Sequence, residues 1–131
     1  MIPINACPCG RNKWYTECCE PNHKNVKQAK TAEDLMRSRY TAFTLGKGDY
    51  LFKSQSSQTR KSTDIKPIEK WAKSVQWMKL DVLNTTKGGE NDTEGTVEFN
   101  AYFMEGGKLD TIHENSLFTK ENGHWVYVDA V

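Results

Sequence analysis

The chain of 131 residues has no cysteine beyond position 19 and a single proline, Pro67, beyond position 21. No apolar run approaches the ~20 residues that a membrane helix requires. The first absence excludes disulfides stapled through the body of the protein, since the 112 residues after Cys19 offer nothing to bridge. Net charge is only +1, so global charge gives no argument for a nucleic-acid partner. A phosphate-cradling glycine loop and a dinucleotide fingerprint are both missing, and spacing reveals no Ser-His-Asp or Cys-His constellation. The start lacks the pattern of a signal peptide and the end lacks a lipidation signal. The cytoplasm is therefore the expected location, and no membrane is expected as a partner.

What is present is distributed unevenly. Residues 1–30 carry a charge of +3 and the rest −2. Residues 1–24 hold all the cysteines, three of the four prolines and few aliphatics. Such a segment cannot bury a core of its own, so something else must hold it. Residues 25–30 read as a polar connection to a second unit, residues 31–131.

That unit opens with a helix over 32–46. Thr31 is its N-cap, Glu33 and Asp34 favour its first turn, and Gly46 and Gly48 stop it. Ala32, Leu35, Met36, Tyr40 and Phe43 form one apolar stripe. A short helix is expected around 49–54, a loop over 54–63, and a third helix after Asp64 with Trp71 and Val75 on one side.

From Gln76 the period changes to two. Met78, Leu80 and Val82 share a face over 76–86, and Val97, Phe99, Ala101 and Phe103 share one over 93–105. Gly106-Gly107 signals a hairpin into a strand over 108–120. A turn at Glu121-Asn122-Gly123 leads to a last strand, in which Trp125, Tyr127 and Asp129 alternate with Val126, Val128 and Ala130. Helices followed by strands in separate runs define an α+β fold, with helices packed on a four-strand antiparallel meander.

The cysteines are spaced C-x-C-x8-C-C: Cys7, Cys9, Cys18 and Cys19. Four thiolates suit one tetrahedral Zn(II), and a site filled by four protein ligands is structural rather than catalytic. Gly10 is free to adopt φ > 0 and turn backbone N–H groups toward the sulfurs. Adjacent cysteines bridge poorly as disulfides, iron–sulfur ligation usually has wider spacing, and Cu(I) has no further support.

This segment, CPCGRNKWYTECC, resembles the SEC-C motif at the C-terminal end of the SecA translocation ATPase. Every ligand position matches, with Cys19 in the last. Arg11-Asn12 stands where Ser-Gly is usual, and Glu20 where a glycine is usual. The stretches LMRSRYTAFTLGKGDYL, EGTVEFNAYF, HENSLF and GHWVYVDA are similar to the bacterial YchJ family. That resemblance implies a SEC-C zinc segment joined to a nuclear transport factor 2-like domain, a curved sheet wrapped around helices into a cone. Gln55-Ser56-Ser57 aligns with a Trp-His-Pro stretch common in the family, so any chemistry resting on that histidine has no counterpart here.

Two functional expectations follow. The first is a zinc-binding adaptor in which Arg11, Lys13, Trp14, Tyr15 and Lys24 face a protein or, by analogy with SecA, a ribosomal partner; nucleic-acid contact stays open. The second is a small-molecule-binding protein or enzyme using the cone. Arg39 falls inside the apolar stripe and calls for a carboxylate, Glu114 or Asp129 first and then Asp81. Tyr40, Trp71, Trp77 and Tyr102 are expected to line the pocket, with His113 near it. His113 and Glu114 are strand neighbours and so not a dyad. His23 and His124 are expected to face solvent beside turns.

Overall fold

The computed structural model describes residues 6–60 and 64–131. Residues 1–5 of the cysteine segment and residues 61–63 of the expected loop lie outside them. A 3-10 turn, Tyr15–Glu17, leads into α1 (Cys19–Lys24), and a second covers Val26–Gln28. Then come α2 (Ala32–Leu45), α3 (Gly48–Lys53), α4 (Ser57–Arg60) and α5 (Ile65–Ser74). The strands are β1 (Gln76–Lys87), β2 (Glu94–Glu105), β3 (Lys108–Glu121) and β4 (His124–Ala130). They form one antiparallel sheet in sequence order. The fold is the expected α+β arrangement, with α2 packed on the sheet.

Local chemistry sets the ends of the elements. The Thr31 hydroxyl accepts the Asp34 N–H at 3.0 Å, and Gly46, in the left-handed region, closes α2 by donating to the Ala42 and Phe43 carbonyls. Asp64 caps α5 in the same way through the Lys66 N–H. The turns Gly106-Gly107 and Asn122-Gly123 have positive φ at both positions, which matches the twist of the flanking strands. At the β1–β2 turn, Gly88 and Gly95 pass so closely that a Cβ on Gly95 would stand 2.5 Å from Gly88 backbone atoms. The Gly88 carbonyl then accepts the Ala32 N–H at 2.9 Å, tying this turn to the start of α2.

Two local details differ from the sequence expectation. Residues 57–60, expected as loop, form the helical turn α4, because the Glu121 carboxylate accepts both the Ser56 hydroxyl and the Ser57 N–H. That support comes from a residue 64 positions away, invisible to local composition. Strand β1 does not alternate strictly. Its register slips between Trp77 and Lys79 and again between Val82 and Asn84. Met78 is therefore an extra, exposed residue, and the core-facing set is Trp77, Leu80 and Val82. On β2 the expected face holds: Val97, Ala101 and Phe103 are buried. Leu35, Leu51, Val97, Phe118 and Trp125 are the largest apolar side chains fully enclosed between helices and sheet.

The bulge has a measurable consequence. In urea titrations Met78→Thr changes stability by no more than about 0.5 kcal/mol, whereas Leu80→Ala costs about 2–4 kcal/mol. Strict alternation would make both costly.

Candidate metal centre and ligand cavity

The cysteine segment folds back on itself by a small ladder. Ala6 bridges Trp14, and the Cys7 N–H donates to the Lys13 carbonyl at 2.8 Å. Gly10 has φ +90 as expected, although its N–H donates to the Cys7 carbonyl at 3.3 Å rather than to a sulfur. The Sγ atoms of Cys7, Cys9, Cys18 and Cys19 lie within 4.8 Å of one another, Cys9 and Cys18 at 3.6 Å. A tetrahedral ion with metal–sulfur bonds of ~2.3 Å needs sulfurs about 3.8 Å apart, so the group suits one metal ion. Cys7, Cys9 and Cys19 are buried and Cys18 is partly so. Hydrogen bonds from Cys19 and Cys9 drive the Cys7 thiol far down, the contacts with Cys7 and Cys9 drive Cys19 far up, and burial pushes Cys18 up to about 12. Four thiols this close cannot all ionise without a cation among them.

One polar face of α2 receives this segment. Arg11 pairs with Asp34 at 2.5 Å and with Glu33 at 3.5 Å. Burial works against its charge, but Asp34 outweighs that and holds the Arg11 guanidinium above its ordinary value. Arg37 pairs with Glu33 at 2.8 Å and donates to the Cys9 carbonyl at 2.7 Å. The Thr41 hydroxyl donates to Cys19 Sγ at 3.4 Å and lies 3.7 Å from Cys7 Sγ.

His23 extends the dock. Its Nε2–H donates to the Ser38 carbonyl at 2.8 Å, which leaves Nδ1 to accept from the Tyr15 hydroxyl at 2.8 Å. The expectation that His23 faces solvent is corrected: burial lowers its pKa, which favours the neutral ring, and its ring centre lies 4.7 Å from that of Tyr50, tilted by 54°. His124 is partly buried too, with Nδ1 enclosed. Of the five residues expected to face a partner, Arg11 and Tyr15 are turned to this dock. Lys13, Trp14 and Lys24 remain exposed, Lys24 within reach of Glu20.

The opposite face of α2 closes a cavity of about 400 Å³ against the sheet. Met36, Tyr40 and Phe43 of α2, Trp71 of α5, and Trp77 and Phe99 of the sheet form apolar wall. Arg39, Gln55, Thr59, Glu114, Ser116, Tyr127 and Asp129 supply its polar groups. Arg39 Nη1 donates to the Leu51 carbonyl at 2.8 Å and to Ser54 Oγ at 2.7 Å. Its guanidinium lies 4.6 Å from the centre of the Tyr127 ring. Burial lowers its pKa to about 10, so it stays charged at neutral pH. Glu114 Oε2 accepts from Ser116 Oγ at 2.5 Å and from the Tyr127 hydroxyl at 3.0 Å. Burial, then the Glu114 charge, drive the Tyr127 phenol up.

Several sequence expectations change here. Among the described residues no ion pair joins Arg39 to Glu114 or Asp129; two neutral oxygens and an aromatic face hold it instead. Asp81 is paired with Lys79 at 3.5 Å. Tyr102 and His113 do not line the cavity. They alternate with the core-facing Ala101, Phe103 and Ile112 and so point to the other side of the sheet, where His113 meets Glu98 at 2.7 Å and Tyr102 packs under Lys79. Asp129 lines the cavity but is itself exposed, next to a slip in the β3–β4 register. Of the segment aligned with Trp-His-Pro, Gln55 lines the cavity, while Ser56 is buried with its hydroxyl on Glu121.

Sequence reasoning gives no site role to Tyr127 or Thr41. Tyr127 shares the strand face of Trp125, and Asp34, Arg37, Ser38 and Thr41 recur at helical spacing; those were the available signals.

A four-cysteine segment docked on a helix that also roofs a cone-shaped α+β domain defines a SEC-C motif on a nuclear transport factor 2-like fold. The solution structure of RPA3114, a SEC-C motif containing protein from Rhodopseudomonas palustris, is similar with a TM-score of 0.86 and 34% identity over 96% of this chain and 97% of that one. A crystal structure of a SEC-C motif containing protein from Psychrobacter arcticus gives 0.82 and 35% over 98% and 82%. The family described as YchJ, middle NTF2-like domain, matches residues 31–130. The UPF0225 protein GSU1048 of Geobacter sulfurreducens is 43% identical over 126 residues, 96% of this chain and 78% of the relative. The UPF0225 protein SCO1677 of Streptomyces coelicolor is 39% identical over 130 residues, 98% and 97% of the two chains. The chain belongs to this YchJ-like, UPF0225 family. Among the described residues no helix is long and apolar enough to cross a membrane.

The dock predicts a local effect. Arg37→Met removes a charged hydrogen bond to the Cys9 carbonyl, typically about 1.5–3 kcal/mol. Amide exchange over residues 6–19 should then accelerate about tenfold or more while that of β2 is unchanged.

Proposed function

We propose that this protein binds a small amphipathic molecule in the cone cavity, and that its cysteine segment is a structural Zn(II) module bracing the helix that roofs the cavity. The observation that carries the reading is Arg39: a charged side chain with no carboxylate partner among the described residues, held at the wall of a cavity of about 400 Å³. Pockets of about 300–1,000 Å³ with apolar walls and a few convergent polar groups are the usual form of small-molecule sites. Zn(II) is favoured by four thiol donors in a closed, mostly buried cluster with no position left for water or substrate. We place the protein in the cytoplasm, where four thiols clustered to hold a metal stay reduced.

Titration of indole and a fragment library, followed through the indole N–H resonances of Trp71 and Trp77, tests the cavity. We expect saturable shifts in the wild type and their loss in Ala101→Trp, which fills the space. Unchanged binding in that variant would refute the reading. For the metal, elemental analysis should give one zinc per chain. Cys18→Ser with Cys19→Ser should lose it, expose residues 6–24 to rapid amide exchange, lower Tm by about 5 °C or more and leave the sheet intact.

A second reading, an adaptor acting through the cysteine segment, is favoured by one observation: Trp14 is 48% exposed beside the exposed Lys13. Lys13→Glu with Trp14→Ala leaves the fold unchanged. Under this reading it abolishes capture of a protein or ribosomal partner from cytoplasmic extract, and under the cavity reading it changes nothing.

A further inference from the structure

The polar end of the cavity has an arrangement that restricts what can bind. Among the described residues, Arg39 uses one nitrogen, Nη1, for both of its hydrogen bonds, leaving Nε and Nη2 with open N–H groups on a side chain that lines the cavity. Among the same residues Glu114 uses one oxygen, Oε2, for both of its own, leaving Oε1 as an open acceptor. The two charges do not pair. Tyr127 stands between them, its ring face under the guanidinium and its hydroxyl on the carboxylate. An open cation and an open anion therefore straddle one phenol, each already oriented by protein groups.

Charge arithmetic narrows the ligand. Arg39 is the only cation among the described residues lining the cavity. Two carboxylates, Glu114 and the more exposed Asp129, line it as well. A phosphate or a dicarboxylate would add two negative charges where carboxylates already outnumber the cation, at a desolvation cost that the apolar wall cannot offset. A neutral hydrocarbon would leave Arg39 buried and unpaired. A single carboxylate neutralises Arg39 through a two-pronged contact, the geometry that guanidinium favours. It still faces the free oxygen of Glu114, which tolerates it only if a hydrogen-bond donor lies between the two.

We infer that, within the cavity reading above on which this rests, the ligand is a monocarboxylate with an adjacent hydroxyl or N–H donor on an aromatic or branched aliphatic body. Arg39 takes the carboxylate, Glu114 takes the donor, and Tyr40, Trp71, Trp77 and Phe99 enclose the body.

Calorimetry on the zinc-loaded wild-type protein at pH 7 tests this with four probes: 3-phenyllactate, 3-phenylpropanoate, 3-phenylpropane-1,2-diol and indole. We expect 3-phenyllactate to bind tightest. The diol, which lacks the carboxylate, should be weaker by about tenfold or more, and 3-phenylpropanoate, which lacks the hydroxyl, by about threefold or more. Glu114→Gln, which removes the charge that a carboxylate without a donor must face, should abolish the preference for 3-phenyllactate over 3-phenylpropanoate, and Arg39→Met should abolish the preference for carboxylates. If Arg39→Met does not fold, as judged by circular dichroism, the wild-type series decides alone. Binding of indole or the diol with no advantage for the acids overturns the ligand class and leaves the cavity reading standing. Failure of all four probes, indole included, overturns both.

Discussion

Helix α2 is packed on two sides at once, and much of the structure follows from that constraint. A surface helix normally presents one apolar stripe to a core and leaves the rest to water. Here Leu35, Met36 and Tyr40 face the sheet and cavity, while Asp34, Arg37, Ser38 and Thr41 receive the cysteine segment. The second interface cannot be apolar, because the segment has few aliphatics to bury. It is built from charge and hydrogen bonds: Arg11 on Asp34, Arg37 on a backbone carbonyl, Thr41 on sulfur. Ser38 and Thr41 are both fully buried and small, which lets the cysteine loop approach the helix closely. The polar dock to α2 supplies order that the segment's own composition cannot, and the four clustered thiols suit a metal ion that would add to it.

The same helix carries Arg39 to the cavity, where a different economy holds. A buried cation is costly unless it is paired or coordinated. The protein does not pair it with a carboxylate. It gives it the Leu51 carbonyl, the Ser54 hydroxyl and the face of Tyr127, which orient the guanidinium without neutralising it. Glu114 is close enough to act on Arg39 through its charge, yet its hydrogen bonds go to Ser116 and Tyr127. Such a wall is preorganised: little side-chain freedom remains to be lost when a ligand enters, which is the usual source of affinity in small pockets.

Much of this was legible in the sequence where the signal is local or strictly periodic. The cysteine spacing, the caps of α2, the glycine turns and the core face of β2 all rest on neighbouring residues or on an unbroken period of two. Most of the failures have one physical origin, the meeting of elements distant in sequence. Bulges in β1 displace Met78 outward because pairing with β2, not alternation, decides the register. The helical turn α4 exists because Glu121 reaches across from β3. The partner of Arg39 could not be found by searching for carboxylates, since a carbonyl and a hydroxyl from the α3 end serve instead. For Tyr102 and His113 the sequence held the answer: each is one residue out of phase with the core-facing set on its strand.

The two interfaces of α2 are also joined through α3. Tyr50 packs at a tilt against His23 from the cysteine side, shares a hydrogen bond with Ser38 at 2.6 Å, and offers its carbonyl to the Ser54 hydroxyl. That hydroxyl in turn accepts from Arg39. Every member of this chain is buried or half-buried, so a displaced member cannot turn to water for a substitute partner without cost. Burial pushes the Tyr50 phenol up to about 12, and it therefore stays a neutral donor throughout the physiological range. The orientation of the cavity's only cation among the described residues is thus fixed from the same side of the molecule as the cysteine cluster. None of the segment's described residues lines the cavity, so its contact with Arg39 runs only through this chain of hydrogen bonds.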